Sequence, residues 1–368
     1  MRTTCLLAGF TLTSMLFAAN SSGADPRLMN LVMPDAASLA GINVANAKNT
    51  PFGQYVITQV TSAVADQLQS FVSSTGFDPR QDVSEVLAAS ASGPASSGLV
   101  LALGNFQVSQ LTAAAAAKSP QMTVTSYGGA TLISGTGTIG TGAAVTKTSF
   151  SVAFMGTNVA ILGDTGSVKA AIDRSSAVNS INPALATQVQ SLSSTQDAWM
   201  VTTSPFATIL ASLTSSSATP AGATPATAAG PLGQMGQMFN GILGSSGGVK
   251  FGTVVQVTGQ AMTKDAPTAK SLADVLTALV SIAAMSGGQM PGGAAGGGQN
   301  AQFAAIAQLL QNVKVTANGA TINLAMSVPE TQLENALKAM QAPAPIAKPA
   351  APAAPKPAVV RPAITQGE

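Results

Sequence analysis

Apolar and polar residues alternate along two stretches of the chain that share one order of predicted elements. Residues 122–174 read as a hairpin with a Gly-rich turn, two further strands and a helix. Residues 313–340 read as a hairpin followed directly by a helix. Alternation with a period of two is typical of strands with one buried face, and tight turns join antiparallel neighbours. The two stretches therefore predict an α+β unit that is used twice.

The apolar positions that precede the first unit predict a long helix and a buried strand. Thr50 as N-cap and Pro51 at the first helical position begin a helix whose apolar residues recur at steps of three and four as far as Val72. This spacing predicts one continuous helix of about six turns. The run Gly98–Gly104 is apolar throughout and bounded by glycine, which is typical of a buried central strand.

Together these elements predict the α+β fold class, with two pseudo-repeated halves at residues 25–190 and 191–340. Each half is expected to contain an antiparallel or mixed sheet with helices packed on one face. The pattern leaves open whether the halves share one long sheet or form two lobes. The second half also contains a low-complexity insert at residues 214–231, where no apolar period survives, and a Gly-rich loop at residues 286–299.

The two ends of the chain are predicted to lie outside this fold. Residues 1–24 combine Arg2, an apolar run of about 14 residues and small residues before position 25, which predicts a signal peptide cleaved after Ala24. The run is shorter than the roughly 20 residues that span a bilayer, so a retained anchor is the weaker alternative. We therefore expect a periplasmic or extracellular protein that begins at Asp25. Residues 341–368 contain seven of the 21 prolines, with Ala and Lys, and predict a disordered tail.

Composition narrows the partners that the body of the protein can bind. Cys5 is the only cysteine and lies in the predicted signal peptide, so we expect no disulfide in the mature chain. Charged residues make up 8% of the chain, against a usual value of about 25%. The formal net charge is +2, and the tail contains three of the basic residues and one of the acidic residues. The body is therefore close to neutral and offers no basic patch for nucleic acid.

The absence of histidine excludes several catalytic classes. Without His, the chain cannot use Ser-His-Asp or Cys-His catalysis, or build a His-based metal site. No Lys has a Ser three positions before it, which removes the usual Ser-Lys motif. Carboxylate pairs, Lys chemistry or an unusual Ser or Thr site remain. On this basis we predict no catalytic, cofactor-binding or metal-binding residue.

Two short motifs match functional patterns but lie in a different context. Residues Asp164 to Ser167 match the aspartic protease signature, in which two carboxylates share a proton. No second copy is present and a predicted helix follows, so Asp164 is expected to be an N-cap, with a homodimer as the alternative source of a second carboxylate. Gly135 to Gly140 match G-x-G-x-x-G, but a predicted strand follows where a dinucleotide site needs a helix. We expect a hairpin tip there.

Three further features have both a functional and an ordinary interpretation. The densest charge cluster is a candidate calcium site, with a capped helix and a local ion pair as the alternative. Its members are Asp78, Arg80, Asp82 and Glu85. Methionines beside the Gly-rich segments are candidates for an adaptable apolar surface, with core packing as the alternative. They are Met235, Met238, Met285 and Met290. The Pro-rich tail is a candidate tether to an envelope or cell-wall partner, with an unengaged end as the alternative.

Four stretches in the first half of the chain carry a resemblance to known proteins. They are residues 24–36 (ADPRLMNLVMPDA), 40–44 (AGINV), 50–55 (TPFGQY) and 77–80 (FDPR). They resemble a group of uncharacterised exported proteins from acidobacteria. The resemblance implies an exported bacterial protein, and it implies no activity and no site residue.

Three functional hypotheses follow from the sequence. The first is an exported, non-enzymatic protein that acts by interaction in the periplasm or at the cell envelope. The second is a binder of an apolar small molecule or lipid, held between helices and sheet. The third is a hydrolase that uses carboxylates, with Asp164 as its candidate residue. The oligomeric state is not predicted.

Overall fold

The computed structural model describes residues 23–62, 64–91, 97–118, 122–139, 146–177, 181–205, 241–285, 308–309 and 311–341. The predicted signal peptide as far as Ser22, the low-complexity insert, the Gly-rich loop and the tail after Gln341 lie outside these residues. Their structures therefore stay predictions.

Twelve strands are present in the described part of the chain. They are β1 (Ala36–Asn43), β2 (Val83–Ala91), β3 (Gly98–Gly104), β4 (Thr123–Tyr127), β5 (Ala130–Ile139), β6 (Thr146–Met155), β7 (Val159–Asp164), β8 (Ala198–Thr202), β9 (Ile242–Lys250), β10 (Val254–Thr263), β11 (Val313–Asn318) and β12 (Thr321–Pro329).

Helices connect and cover these strands. They are α1 (Pro26–Met29), α2 (Val44–Ala47), α3 (Pro51–Ser62), α4 (Ala65–Thr75), α5 (Pro79–Asp82), α6 (Val108–Lys118), α7 (Thr165–Arg174), α8 (Pro183–Ser193), α9 (Ala266–Met285) and α10 (Glu330–Gln341).

All twelve strands belong to one sheet, in the order β11-β12-β10-β9-β8-β1-β2-β3-β7-β6-β5-β4. Every neighbouring pair is antiparallel. The α+β prediction is confirmed. Strands β1 and β8 pair at the centre of the sheet, so the halves share one long sheet and do not form two lobes.

Each half of the sheet is built in the same way. Strands β1-β2-β3 form a meander, α6 leads to the edge strand β4, and β5-β6-β7 return to pair with β3. In the second half, β8-β9-β10 form the meander, α9 precedes the edge strand β11, and β12 returns to pair with β10. Glycines with positive φ, Gly128, Gly129 and Gly319, lie in the turns of the two edge hairpins, because these turns require a left-handed backbone.

The two faces of the sheet differ in what covers them. One face, here called the covered face, carries buried residues such as Leu39, Leu87, Leu101 and Ile161, and α1, α7 and α8 pack on it. The opposite face, here called the open face, carries the alternate residues of the same strands. Helices α3, α4, α6, α9 and α10 pack on parts of the open face. Helices therefore lie on both faces, which differs from the one-sided layer expected from the sequence.

The predicted helix of six turns is divided into α3 and α4. Thr50 and Pro51 begin α3 as predicted, since the Thr50 hydroxyl oxygen accepts a hydrogen bond from the Gly53 N–H at 3.2 Å. Towards its end, Thr58 and Thr61 donate side-chain hydrogen bonds to carbonyls one turn earlier. Such bonds compete with the helix and bend it. The division lets α3 and α4 contribute to different cores of the open face.

Three further elements differ from the sequence prediction. Strand β5 continues as far as Ile139, through most of the segment that was expected to be a hairpin tip. Strand β9 was not predicted, because its Gly and Ser residues have low strand propensity. Helix α8 crosses the predicted boundary between the halves and was not predicted as a helix. Asn182 caps it by accepting from the Ala184 N–H at 2.9 Å. An Asn-Pro pair at a helix start was the signal available for α8.

Candidate functional site

A row of apolar residues crosses the open face of the sheet. Register pairs place Leu162, Val100, Ala88, Ala40 and Met200 side by side on five adjacent strands. Leu162 and Val100 are each 42% exposed and Met200 is 51% exposed. Side chains of this size are usually buried, and several of them exposed side by side indicate a binding surface.

One end of this row, at Ala88, Ala40 and Met200, lies in a shallow apolar trough of about 610 Å³. Its floor consists of Ala40 and Ala88, with Met200 and Gly247 on the next strands. Its volume lies within the roughly 300–1,000 Å³ range of small-molecule sites. The small side chains of the floor leave room above the sheet, so the concavity follows directly from the sequence of the central strands.

The floor of the trough is supported from the covered face by Trp199. A Cβ atom at Gly41 would lie 2.5 Å from Cζ2 of Trp199, so only glycine fits at this position of β1. Trp199 is buried, and its ring lies against the backbone of β1. The trough therefore has a rigid, well-packed base.

A second apolar cavity lies further along the open face. This aromatic pocket has a volume of about 220 Å³ and lies between α4, α6 and the strands β5 and β6. Phe71, Phe150 and Phe154 line it, together with Ile133 and Val152. Ile133 pairs with Val152, and Val152 pairs with Leu162. The apolar row thus connects the aromatic pocket to the trough through the exposed side chains of Leu162 and Val100.

Hydroxyl groups border the trough on one side. Ser90, Ser38, Thr202 and Ser245 are paired across β2, β1, β8 and β9, two residues along each strand from the apolar row. The Ser38 hydroxyl donates to Oγ1 of Thr202 at 2.7 Å. Among the residues that the structure describes, no charged side chain lines the trough or the aromatic pocket. The surface therefore offers an apolar floor with a neutral, hydrogen-bonding rim.

Asp197 fixes the beginning of β8 beside the trough. Its carboxylate is almost fully buried and accepts hydrogen bonds from the Phe251 N–H at 2.7 Å and the Asn46 side chain at 3.3 Å. It also forms an ion pair with Lys250 at 2.9 Å. Buried carboxylates are stable when their oxygens are fully hydrogen-bonded. Asp197 therefore joins the two halves of the protein and is assigned a structural role.

Asp164 lies at the N-terminus of α7. Its side chain accepts from the Ser167 N–H at 2.9 Å, which is the N-cap geometry. Burial alone would raise the pKa of the Asp164 carboxyl, but hydrogen bonds from Ser167 and Gly166 outweigh it and lower the pKa. None of the groups that shift this pKa is a second carboxylate. An ionised, capping carboxylate does not match a pair that shares a proton.

The glycine string occupies a strand and not a nucleotide-binding turn. Residues 135–139 belong to β5, which pairs with β6 as far as Ile139 and Thr146, and Gly140 lies outside the described residues. A dinucleotide site places such glycines between a strand and a helix N-terminus. The geometry that would hold a pyrophosphate is therefore missing from the described part of this segment.

The charge cluster divides into two separate contacts. Asp78 caps α5 and forms an ion pair with Arg80 at 2.8 Å, and Asp82 accepts from the Asp78 N–H at 2.7 Å. Glu85 instead contacts the N–H of Asp25 at 3.2 Å. Among the described residues, no group of three acidic, His or Cys side chains is arranged to hold a metal ion.

The methionine candidates are not tested by the structure. Met235, Met238 and Met290 lie outside the described residues, and Met285 is the last residue of α9, where the side chain is not described. Met200, which the sequence did not single out, lies in the trough instead. The alternation in Ala198-Trp199-Met200-Val201 was the signal that could have found it.

Within the described ranges, no helix has both the length and the apolar character needed to cross a bilayer.

Comparisons with known proteins add little to this description. No family model and no curated protein matches the chain. Among solved structures, the chain is similar to crystal form IV of TP0453, with 9% sequence identity and a TM-score of 0.44. The match covers 86% of this chain and 98% of the other. A likeness this weak supports no inference about function. The described residues form an α+β fold with one twelve-stranded antiparallel sheet and a partly open apolar face.

Proposed function

We propose that this protein is an exported, non-enzymatic binding protein whose ligand is a single-chain lipid, with its hydrocarbon chain in the apolar trough. The observation that carries the proposal is the exposed row of Leu162, Val100 and Met200 around the small residues Ala40 and Ala88. Covering this row would remove a large apolar surface from water. Full burial of an exposed Val, Leu or Met side chain contributes about 1.5–3 kcal/mol, and since these side chains are already about half buried, covering each contributes roughly half of that amount.

The polarity of the trough favours a hydrocarbon chain over a peptide. A peptide in an irregular conformation brings N–H and C=O groups that need partners, and the floor of Ala40, Ala88, Met200 and Gly247 offers no side-chain donor or acceptor. A hydrocarbon chain has no such groups. The hydroxyl rim near Ser38 and Ser245 supports a neutral polar head, since no charged residue in the described part of the chain lines the trough.

The length of the apolar row also supports a chain-shaped ligand. From Val152 on β6 to Gly247 on β9 the row crosses six strand intervals. At about 4.8 Å per interval this corresponds to about 29 Å. A compact ligand would use only the trough, whereas an extended chain reaches towards the aromatic pocket. The predicted export and the Pro-rich tail support an envelope setting, in which single-chain lipids are available.

The test uses a pair of methionine variants with opposite expectations. Met200→Glu places a carboxylate in the trough, whereas Met262→Glu places one on the other face of the sheet, where Met262 is also exposed. With a fluorescent single-chain monoacylglycerol as probe, whose head group is neutral, we expect Met200→Glu to weaken binding by more than tenfold, because an unpaired charge would be covered by the chain. The matched Met262→Glu variant should bind within about twofold of wild type.

Native mass spectrometry of protein purified from its own host provides an independent measurement. A co-purifying mass in the single-chain lipid range that is lost in Met200→Glu would support the proposal. Absence of probe binding to wild type, or equal affinities in the two methionine variants, would contradict it. A co-purifying protein whose binding is lost in Met200→Glu would assign the trough to a protein partner instead.

A further inference from the structure

The nitrogen of Asp25 lies against a carboxylate from a distant part of the chain. The main-chain N–H of Asp25 donates to Oε1 of Glu85 at 3.2 Å, across 60 positions of sequence. Glu85 lies in β2, and Asp25 is the residue immediately before α1. This contact therefore fixes the start of the folded body to the sheet.

Asp25 is held in place by contacts with residues that follow it in the chain. Its carboxylate caps α1 by accepting from the Arg27 N–H at 2.8 Å and pairs with the Arg27 guanidinium at 2.9 Å. Its carbonyl oxygen accepts from the N–H groups of Leu28 and Met29, both at 3.0 Å. Leu28 is completely buried, so α1 is held in the core. The nitrogen of Asp25 would stay beside Glu85 if residues 1–24 were removed.

While Asp25 is joined to Ala24, the Glu85 carboxylate has only weak partners that stabilise its negative charge. Burial raises the pKa of the Glu85 carboxyl above its ordinary value. The N–H of Asp25 lowers it, the Asp25 carboxylate raises it, and the Arg27 guanidinium lowers it. Glu85 pairs in register with Asn43 and Leu103, which carry no charge. A single amide N–H is a weak partner for a buried carboxylate.

We propose that cleavage after Ala24 creates the missing partner: the new α-ammonium group of Asp25 forms an ion pair with Glu85 and stabilises the mature fold. Hydrolysis breaks the Ala24–Asp25 amide bond. The water oxygen bonds to the Ala24 carbonyl carbon and becomes part of the new Ala24 carboxylate. The Asp25 nitrogen retains its hydrogen, and the two water protons complete its ammonium group, so atoms and charge balance. The cleavage site and Glu85 would then act as one maturation site.

The pH dependence of this contact has a defined sign. An α-amino group has an ordinary pKa of about 7.7–8.0, and pairing with Glu85 would raise that pKa in the folded state. A raised folded-state pKa gives stability that is fully present below about pH 7.7 and is lost as the pH rises through the raised pKa. Asp25 and Arg27 are the other charged groups at this site, and both stay ionised across this range.

The experiment compares Glu85 with Glu85→Gln in two forms of the chain. One form begins at Asp25 with a free α-amino group, and the other begins at Asp25 with that group acetylated, which keeps the N–H but removes the charge. At pH 7 we expect Glu85→Gln to lower Tm by about 2–4 °C in the free form, which corresponds to about 1 kcal/mol for a protein of this size. In the acetylated form the same substitution should leave Tm unchanged or raise it, because it removes a poorly paired buried charge.

The effect of Glu85→Gln in the free form should also disappear above about pH 10, where the ammonium loses its proton. Equal effects of Glu85→Gln in the two forms would overturn the proposal. So would a mature N-terminus other than Asp25, measured by mass spectrometry of protein exported by its own host. If Glu85→Gln does not fold, the rate of α-amino acylation against pH in the wild-type free form decides the question. A pKa at the ordinary value would then refute the ion pair.

Discussion

Two adjacent residues of β3 offer a direct test of the open face. Leu101 is completely buried on the covered face, whereas Val100 is 42% exposed on the open face. Leu101→Ala removes a core side chain and should lower the free energy of unfolding by about 2–5 kcal/mol. Val100→Ala removes two methyl-sized groups that are already half in water, and should cost less than about 1 kcal/mol.

The single tryptophan gives a convenient signal for this measurement. Trp199 is buried under the trough, so its fluorescence should change on urea unfolding. Both variants are on the same strand and remove apolar atoms only, so charge does not account for a difference between them. Strand propensity would make Val100→Ala the costlier change, because Val is β-branched, and this is opposite to the expected order. Addition of the monoacylglycerol probe at about 100 times its Kd should raise the free energy of unfolding by about 2.7 kcal/mol.

The result that would refute the open face is a cost for Val100→Ala equal to that for Leu101→Ala. Such a result would mean that Val100 is buried in solution by some other part of the protein. The apolar row between the trough and the aromatic pocket would then be part of the core and could not receive a ligand chain. A small cost for Val100→Ala that becomes larger only in the presence of probe would support both the open face and its ligand.

Three further predictions concern the framework of the site. Asp197→Ala should lower the free energy of unfolding by about 3–5 kcal/mol, since it leaves the buried Phe251 N–H unpaired. The control variant, Asp274→Ala at an exposed ion pair, should lower it by less than about 0.5 kcal/mol. Equal costs for the two variants in urea unfolding would contradict the structural role of Asp197. Asp164→Ala should lower the free energy of unfolding by about 0.5–2 kcal/mol, because α7 loses its N-cap. This loss should become smaller as the pH falls through the lowered pKa of Asp164. A loss that is independent of pH would contradict the capping role. Gly41→Ala should cost about 1–3 kcal/mol and shift the tryptophan emission, and an unchanged spectrum would argue against the close contact.

Local patterns predicted the elements whose structure depends on neighbouring residues. The edge hairpins were recognisable because Gly128 and Gly319 supply turns that other residues adopt only with strain. The start of α3 at Thr50-Pro51 and the cap at Asp164 were predicted because a helix N-terminus needs a side-chain acceptor within three residues. These requirements involve only neighbouring residues, so they can be predicted from the sequence.

Elements with weak local signals were missed for the opposite reason. The Gly and Ser residues of β9 have low strand propensity, and its partners β8 and β10 provide the hydrogen bonds that make it a strand. The division between α3 and α4 depends on which core each helix meets. Neither feature follows from a window of neighbouring residues, because tertiary packing overrides propensity.

The run Gly98–Gly104 already showed that both faces of one central strand are apolar. It could not determine which of those faces is covered. Burial of Leu101 and exposure of Val100 depend on helices from remote parts of the chain, which pack over one face and only over parts of the other. The same holds for Asp25 and Glu85, which meet only because α1 folds back onto the sheet. Which apolar surface is exposed and which carboxylate is buried therefore follow from the tertiary structure, because both depend on contacts between residues far apart in the chain.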